Sequence, residues 1–106
     1  MTTYARRRDA NQGEIEAAFR QLLGDHVTDS SGWAGGAGDL FLSFGGEFRD
    51  AFCCFAEIKV DDRATYTAHQ VRFRNRHPGC VRRIETVDEA IQYAQWIRQQ
   101  VKRLAT

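Results

Sequence analysis

A chain of 106 residues, 42% apolar and 27% charged, can bury one core, which excludes wholesale disorder and leaves no room for a second domain. No apolar run approaches the roughly 18 residues of a membrane helix. The polar, Arg-rich start from Met1 to Asp9 does not resemble a secretory signal either, so a cytoplasmic protein with no membrane partner is expected.

Taken in chain order, residues 1–10 read as a flexible basic arm carrying Arg6, Arg7 and Arg8, ahead of a single domain over 11–106. Asn11 with Glu14 fits a helix-opening capping box, and Ile15, Phe19 and Leu22 recur at helical spacing up to a stop at Gly24. His26 to Ser30 allows a short strand. Ser31 to Gly38 (SGWAGGAG) must be a loop, because four glycines in eight residues defeat regular structure. Trp33 within it could stack on a base or pin the loop to the domain.

Asp39 to Phe44 reads as a strand, and Gly45-Gly46 with the polar residues after it as a hairpin connection. Phe52 to Val60 (FCCFAEIKV) is the most apolar run and suits a central strand. On it Cys53 and Cys54 point to opposite faces, and with Cys80 alone elsewhere no cysteine framework exists. Asp61 to Thr65 is a loop, with Asp61 and Asp62 as solvated turn residues. Thr67 with Gln70 opens a short helix to Arg76, although the alternation Val71-Arg72-Phe73-Arg74 also permits a strand. Pro78-Gly79 is a turn and Cys80 to Ile84 a strand. Thr86 and Glu89 then make a capping box for a last helix, whose Val87, Ile91, Ala94, Ile97, Val101 and Leu104 follow one face; Trp96 lies beside that stripe. The order α-β-β-β-α-β-α implies a mixed sheet covered by helices, an α/β (α+β) fold.

Three residues carry the chemistry. Glu57 and Lys59 are two apart on one strand and so share a face, while Ile58 points into the core. Asp39 enters the neighbouring strand from the glycine loop and can approach Glu57 if the register allows. Two carboxylates with a lysine suit a hard cation bound through oxygen, which activates water against a phosphodiester. The bland alternative is a salt-bridged pair on a half-exposed strand, and Glu-x-Lys alone does not distinguish the two. Arg72, Arg74 and Arg76 form a second basic cluster, with Arg82 and Arg83 close behind, which is either a solvated surface or a phosphate track. Glu14 and Gln70 each have a capping role that needs no metal. His69 and His77 could contact phosphate or simply face solvent, and His77 with Cys80 has no second pair to complete a zinc site.

These pieces together, RRRDANQGEIEAAFRQL at 6–22, GGAGDLFLSF at 35–44, FAEIKVDDRATYTAHQ at 55–70 and CVRRIETVDEAI at 80–91, resemble the VRR-NUC branch of the PD-(D/E)xK nuclease superfamily in its small stand-alone phage or prophage form. The resemblance covers nearly the whole chain. It implies a restriction-endonuclease-like core and a Mg²⁺- or Mn²⁺-dependent endonuclease on DNA, with no small-molecule cofactor and branched DNA as a candidate substrate for a homodimer. Carried over residue by residue, Asp39 and Glu57 are metal ligands and Lys59 the catalytic lysine. Glu14 helps hold the metal or its waters, and Gln70 supports the site or touches DNA; Lys59, Arg72, Arg74 and Arg76 are the expected nucleic-acid contacts. Two departures stand out: Gly38 replaces the family's proline before Asp39, and the connection GGEFRDAFCC is long. The competing expectation is a DNA- or partner-binding module on the same fold with no catalysis of its own.

Overall fold

The computed structural model describes residues 12–33, 35–44, 52–59 and 63–105. The expected arm, Asn11 with its half of the first capping box, the Gly45-Gly46 connection and the Asp61-Asp62 turn lie outside the described residues.

Helix α1 spans Gln12–Leu23 and buries Ile15, Phe19 and Leu23, four residues apart. It ends where Gly24 turns to φ 61°, a conformation cheap only for glycine. A single 3₁₀ turn, Gly24–His26, leads into strand β1, Val27–Asp29, shorter than expected because His26 belongs to the turn. Strands β2 (Leu40–Phe44) and β3 (Phe52–Ile58) follow, then α2 (Ala68–Arg76), β4 (Val81–Ile84) and α3 (Val87–Ala105).

The four strands form one mixed sheet in the order β1-β2-β3-β4. The first two pairings are antiparallel, with Asp29 opposite Leu40 and Leu40 opposite Ala56. β3 and β4 run parallel, with Ile58 beside Ile84. A parallel neighbour needs a crossover, and α2 lies within it. The coarse expectation of a mixed sheet covered by helices therefore stands.

Strand parity divides the sheet. Val27, Leu40, Leu42, Cys54, Ala56, Ile58 and Ile84 face α1 and α3 and close the core with Ile15, Phe19, Ala94 and Ile97. Phe19 meets the Tyr93 ring edge-on at 6.4 Å. Cys54 is buried and Cys53 exposed, as their opposite faces require. The stripe expected on α3 needs correcting. Its centre is Ala90, Tyr93, Ala94 and Ile97, whereas Leu104 is 38% exposed. Tyr93 earns a core position because its ring packs on Phe19 and Trp96 and lies under the Arg82 guanidinium. The α3 cap is also only half a capping box: Thr86 Oγ1 accepts from Glu89 N–H at 3.1 Å, but the Glu89 carboxylate accepts from Glu85 N–H rather than Thr86. Among the described residues no helix is long and apolar enough to cross a membrane.

Candidate active site

Asp39 sits one residue ahead of β2, not within it. Its N–H donates to Ala56 O at 2.9 Å and its carbonyl accepts from Ser30 N–H at 2.9 Å. Its carboxylate is oriented by the Ile58 N–H, which donates to Oδ2 at 2.7 Å. The residue before it explains the absence of proline. Gly38 has φ +146°, and a Cβ there would meet Phe55 Cβ at 3.1 Å and Ala56 O at 3.2 Å. Proline, locked near −65°, cannot adopt that backbone.

Glu57 and Lys59 share a face, as their spacing requires. Lys59 Nζ lies 3.4 Å from Glu57 Oε2, with 12% and 5% of the two side chains exposed. Lys59 also extends the parallel ladder, its N–H donating to Ile84 O at 3.0 Å. Burial, and then the hydrogen-bonded Asp39 carboxyl, push Glu57 up from 4.5 to about 7, with Lys59 pulling the other way. Two acids in hydrogen-bond contact repel when both are ionised, so a shared proton or a cation between them relieves the repulsion.

Gln70 completes the cluster. Its amide nitrogen donates to Glu57 Oε2 at 3.0 Å, while its oxygen accepts from Lys59 Nζ at 3.2 Å and from Thr67 N–H at 2.8 Å. Thr67 Oγ1 accepts from Gln70 N–H at 3.2 Å, so the capping box is complete. The two readings of Gln70 are thus one arrangement: the side chain that starts α2 also bridges the acid and the lysine.

The other expected residues part company with this group. Glu14 is exposed and lines a groove with Ala17, Ala18 and Val87, hydrogen-bonded to no member of the cluster. The arginine trio divides because α2 is a helix. Arg72 and Arg76 share a face and line one cavity with His69 and His77. Arg74 points elsewhere, donating to Val81 O at 3.2 Å and lying 4.5 Å over the Tyr66 ring. Arg82 lies over Tyr93 on the core side, and Arg83 is paired with Glu85 at 2.6 Å.

Sequence reading passed over Tyr66. Its ring lies 5.4 Å from Lys59 Nζ and 5.3 Å from the Arg83 guanidinium, besides Arg74. An aromatic face attracts cations, so the ring gathers three positive groups beside Glu57. No spacing rule signals this, since the contacts come from three separate segments.

Asp39 and Glu57 supply a hard oxygen donor set. Among the described residues no group of three or more His, Cys, Asp or Glu is placed to hold a metal ion. In comparisons with family models, curated protein sequences and solved structures, nothing matches this chain.

Proposed function

We propose that the protein is a metal-dependent endonuclease hydrolysing DNA phosphodiester bonds, built on a restriction-endonuclease-like core of the PD-(D/E)xK, VRR-NUC type. The observation that carries the reading is the convergence of Asp39, Glu57 and Lys59 at one point of the sheet, the two carboxyls within hydrogen-bond reach and the amine 3.4 Å from Glu57. A structural ion pair needs only one acid. Asp39 caps the Ile58 N–H, a duty that an uncharged acceptor could also fill, so its charge beside Glu57 raises the cost of the site.

In this reading Asp39 and Glu57 hold the cation, which supplies Lewis acidity toward the phosphate and a lowered pKa for bound water. Lys59 steadies the charge that develops on the phosphate oxygens. Gln70 braces the pair, accepting from Lys59 Nζ and donating to Glu57 Oε2. Branched DNA and action as a homodimer are the finer part of the proposal and rest on the sequence resemblance.

The test is cleavage of labelled linear, single-stranded and four-way-junction DNA in Mg²⁺, Mn²⁺ or EDTA, beside Asp39→Asn and Lys59→Ala. Each substitution should cost at least about a hundredfold in rate, the scale of removing one charge-stabilising group, in a chain that circular dichroism shows to be folded. Cutting that persists in EDTA or in Asp39→Asn would overturn the site.

A further inference from the structure

We propose that the glycine loop and α2 form a track for a short single-stranded segment of nucleic acid, with Trp33 stacking a base and the cavity beside Arg72 and Arg76 receiving a backbone phosphate. The inference deepens the nuclease reading and rests on it for what the track delivers: the strand that is to be cut.

Trp33 is 47% exposed, yet it is not a loose surface ring. It packs on Phe41 at 5.3 Å and edge-on to Phe55 at 6.2 Å. Those two rings contact each other at 5.0 Å on the sheet face that α1 and α3 leave open. The row continues from Phe55 to Phe73 at 5.4 Å and from Phe73 to His77 at 4.6 Å. Phe55 precedes Glu57 by two residues on the same face, so the row runs beside the reaction centre.

The loop that carries Trp33 is docked backbone to backbone. A Cβ on Gly36 would lie 2.7 Å from Gln70 N and from the His69 carbonyl carbon. That contact brings the loop against the first turn of α2 and closes a cavity of about 480 Å³ lined by Gly35, His69, Arg72, Phe73, Arg76 and His77. Among the described residues no carboxylate lines it. Arg72 and Arg76 stand one helical turn apart, and His69 Nδ1 accepts from the Arg72 guanidinium at 2.9 Å, which fixes that cation at the rim. Gly35 presents bare backbone with open space where a side chain would be.

A cavity lined by two arginine side chains and two histidines suits an anion. A rigid, half-exposed indole beside it takes a flat ring. The two together fit a nucleotide, whose every unit joins a ring to a phosphate, better than a run of acidic side chains, which has no ring to stack. Stacking also requires an accessible base face, which a duplex hides and a single strand presents.

The test uses the full chain carrying Trp96→Phe, so that Trp33 alone emits, in EDTA so that no cleavage intervenes. Short oligothymidylate should quench the emission, whereas a matched duplex and polyglutamate should not. An abasic strand of equal length should bind more weakly and without quenching. With labelled oligothymidylate, Trp33→Ala should weaken binding by about tenfold. The double change Arg72→Ala and Arg76→Ala should weaken it at least as much and flatten its salt dependence, with every variant still folded by circular dichroism. Equal binding of duplex, equal quenching by polyglutamate, or less than a twofold effect of Trp33→Ala would overturn the track. Because binding is read without metal, its failure leaves the Asp39–Glu57–Lys59 cleavage test untouched, and a failure of cleavage with intact quenching would sink only the nuclease reading.

Discussion

The two faces of this sheet are built on opposite principles from the same strands. Along β3, Cys54, Ala56 and Ile58 vanish under α1 and α3, while Cys53, Phe55 and Glu57 face the side that α2 and the glycine loop only partly cover. One face is aliphatic and closed. The other is aromatic, charged and accessible at its rim. Alternation by two lets one seven-residue strand serve as the middle of the core and as the floor of the site. Stability and chemistry are therefore separable residue by residue, and substitutions on the two faces should fail in different ways.

The largest stability effect belongs to the closed face. Phe19 is fully buried against Tyr93, and Phe19→Ala should cost about 3–5 kcal/mol in urea denaturation through lost burial and an unfilled cavity. The same experiment on Trp33→Ala, across the sheet, should cost about 1–2 kcal/mol, because that ring is only half-buried. Equal losses would erase the distinction between the faces.

Next is the pH dependence carried by Glu57. Its carboxyl is raised to about 7 in the folded chain and reverts toward 4.5 when unfolded. The folded state holds the proton longer, so the contribution is present at low pH and is lost as pH rises from 4.5 through about 7. Stability should fall by about 3 kcal/mol across that window, and Glu57→Gln should flatten the curve. Mg²⁺ or Mn²⁺ bound between the acids should flatten it too, because the cation favours the ionised pair. A slope that ignores both the substitution and the metal would remove Glu57 from the centre of the site's electrostatics.

The smallest effect separates the two duties of Gln70. Gln70→Ala removes the acceptor for Thr67 N–H and should destabilise by about 1 kcal/mol. Gln70→Glu keeps an acceptor for that N–H but loses the amide donor to Glu57 Oε2, so it breaks the bridge while leaving the cap. It also places a third acid against Glu57 and Asp39, so cleavage should drop by about tenfold or more. Unchanged cleavage in Gln70→Glu would reduce Gln70 to a cap.

Most of the framework was legible from periodicity. The spacing of Ile15 and Phe19, the apolar run at Phe52 and the caps at Thr67 and Thr86 place all three helices and the central strands. Glu57 and Lys59 needed only strand parity. Asp39 needed register as well, and its approach to Glu57 depends on the backbone of β2 pairing one step past the strand end. What escaped the sequence depends on contacts between segments far apart in the chain. The arginine trio reads as one cluster on a strand and as two faces on a helix, and only the helix separates Arg74 from Arg72 and Arg76. Tyr66 gathers its cations from three elements, and the cavity on α2 exists only where the loop docks.

That docking has a consequence for variation. Gly32 and Gly36 lie four residues apart in one glycine-rich loop, and composition alone treats them alike. A side chain at Gly32 would meet nothing, whereas one at Gly36, at φ +71°, would strike the backbone of α2, which has no rotamer to yield. In a library randomised across the loop and selected for a folded, active chain, position 32 should accept many residues and position 36 should return glycine alone.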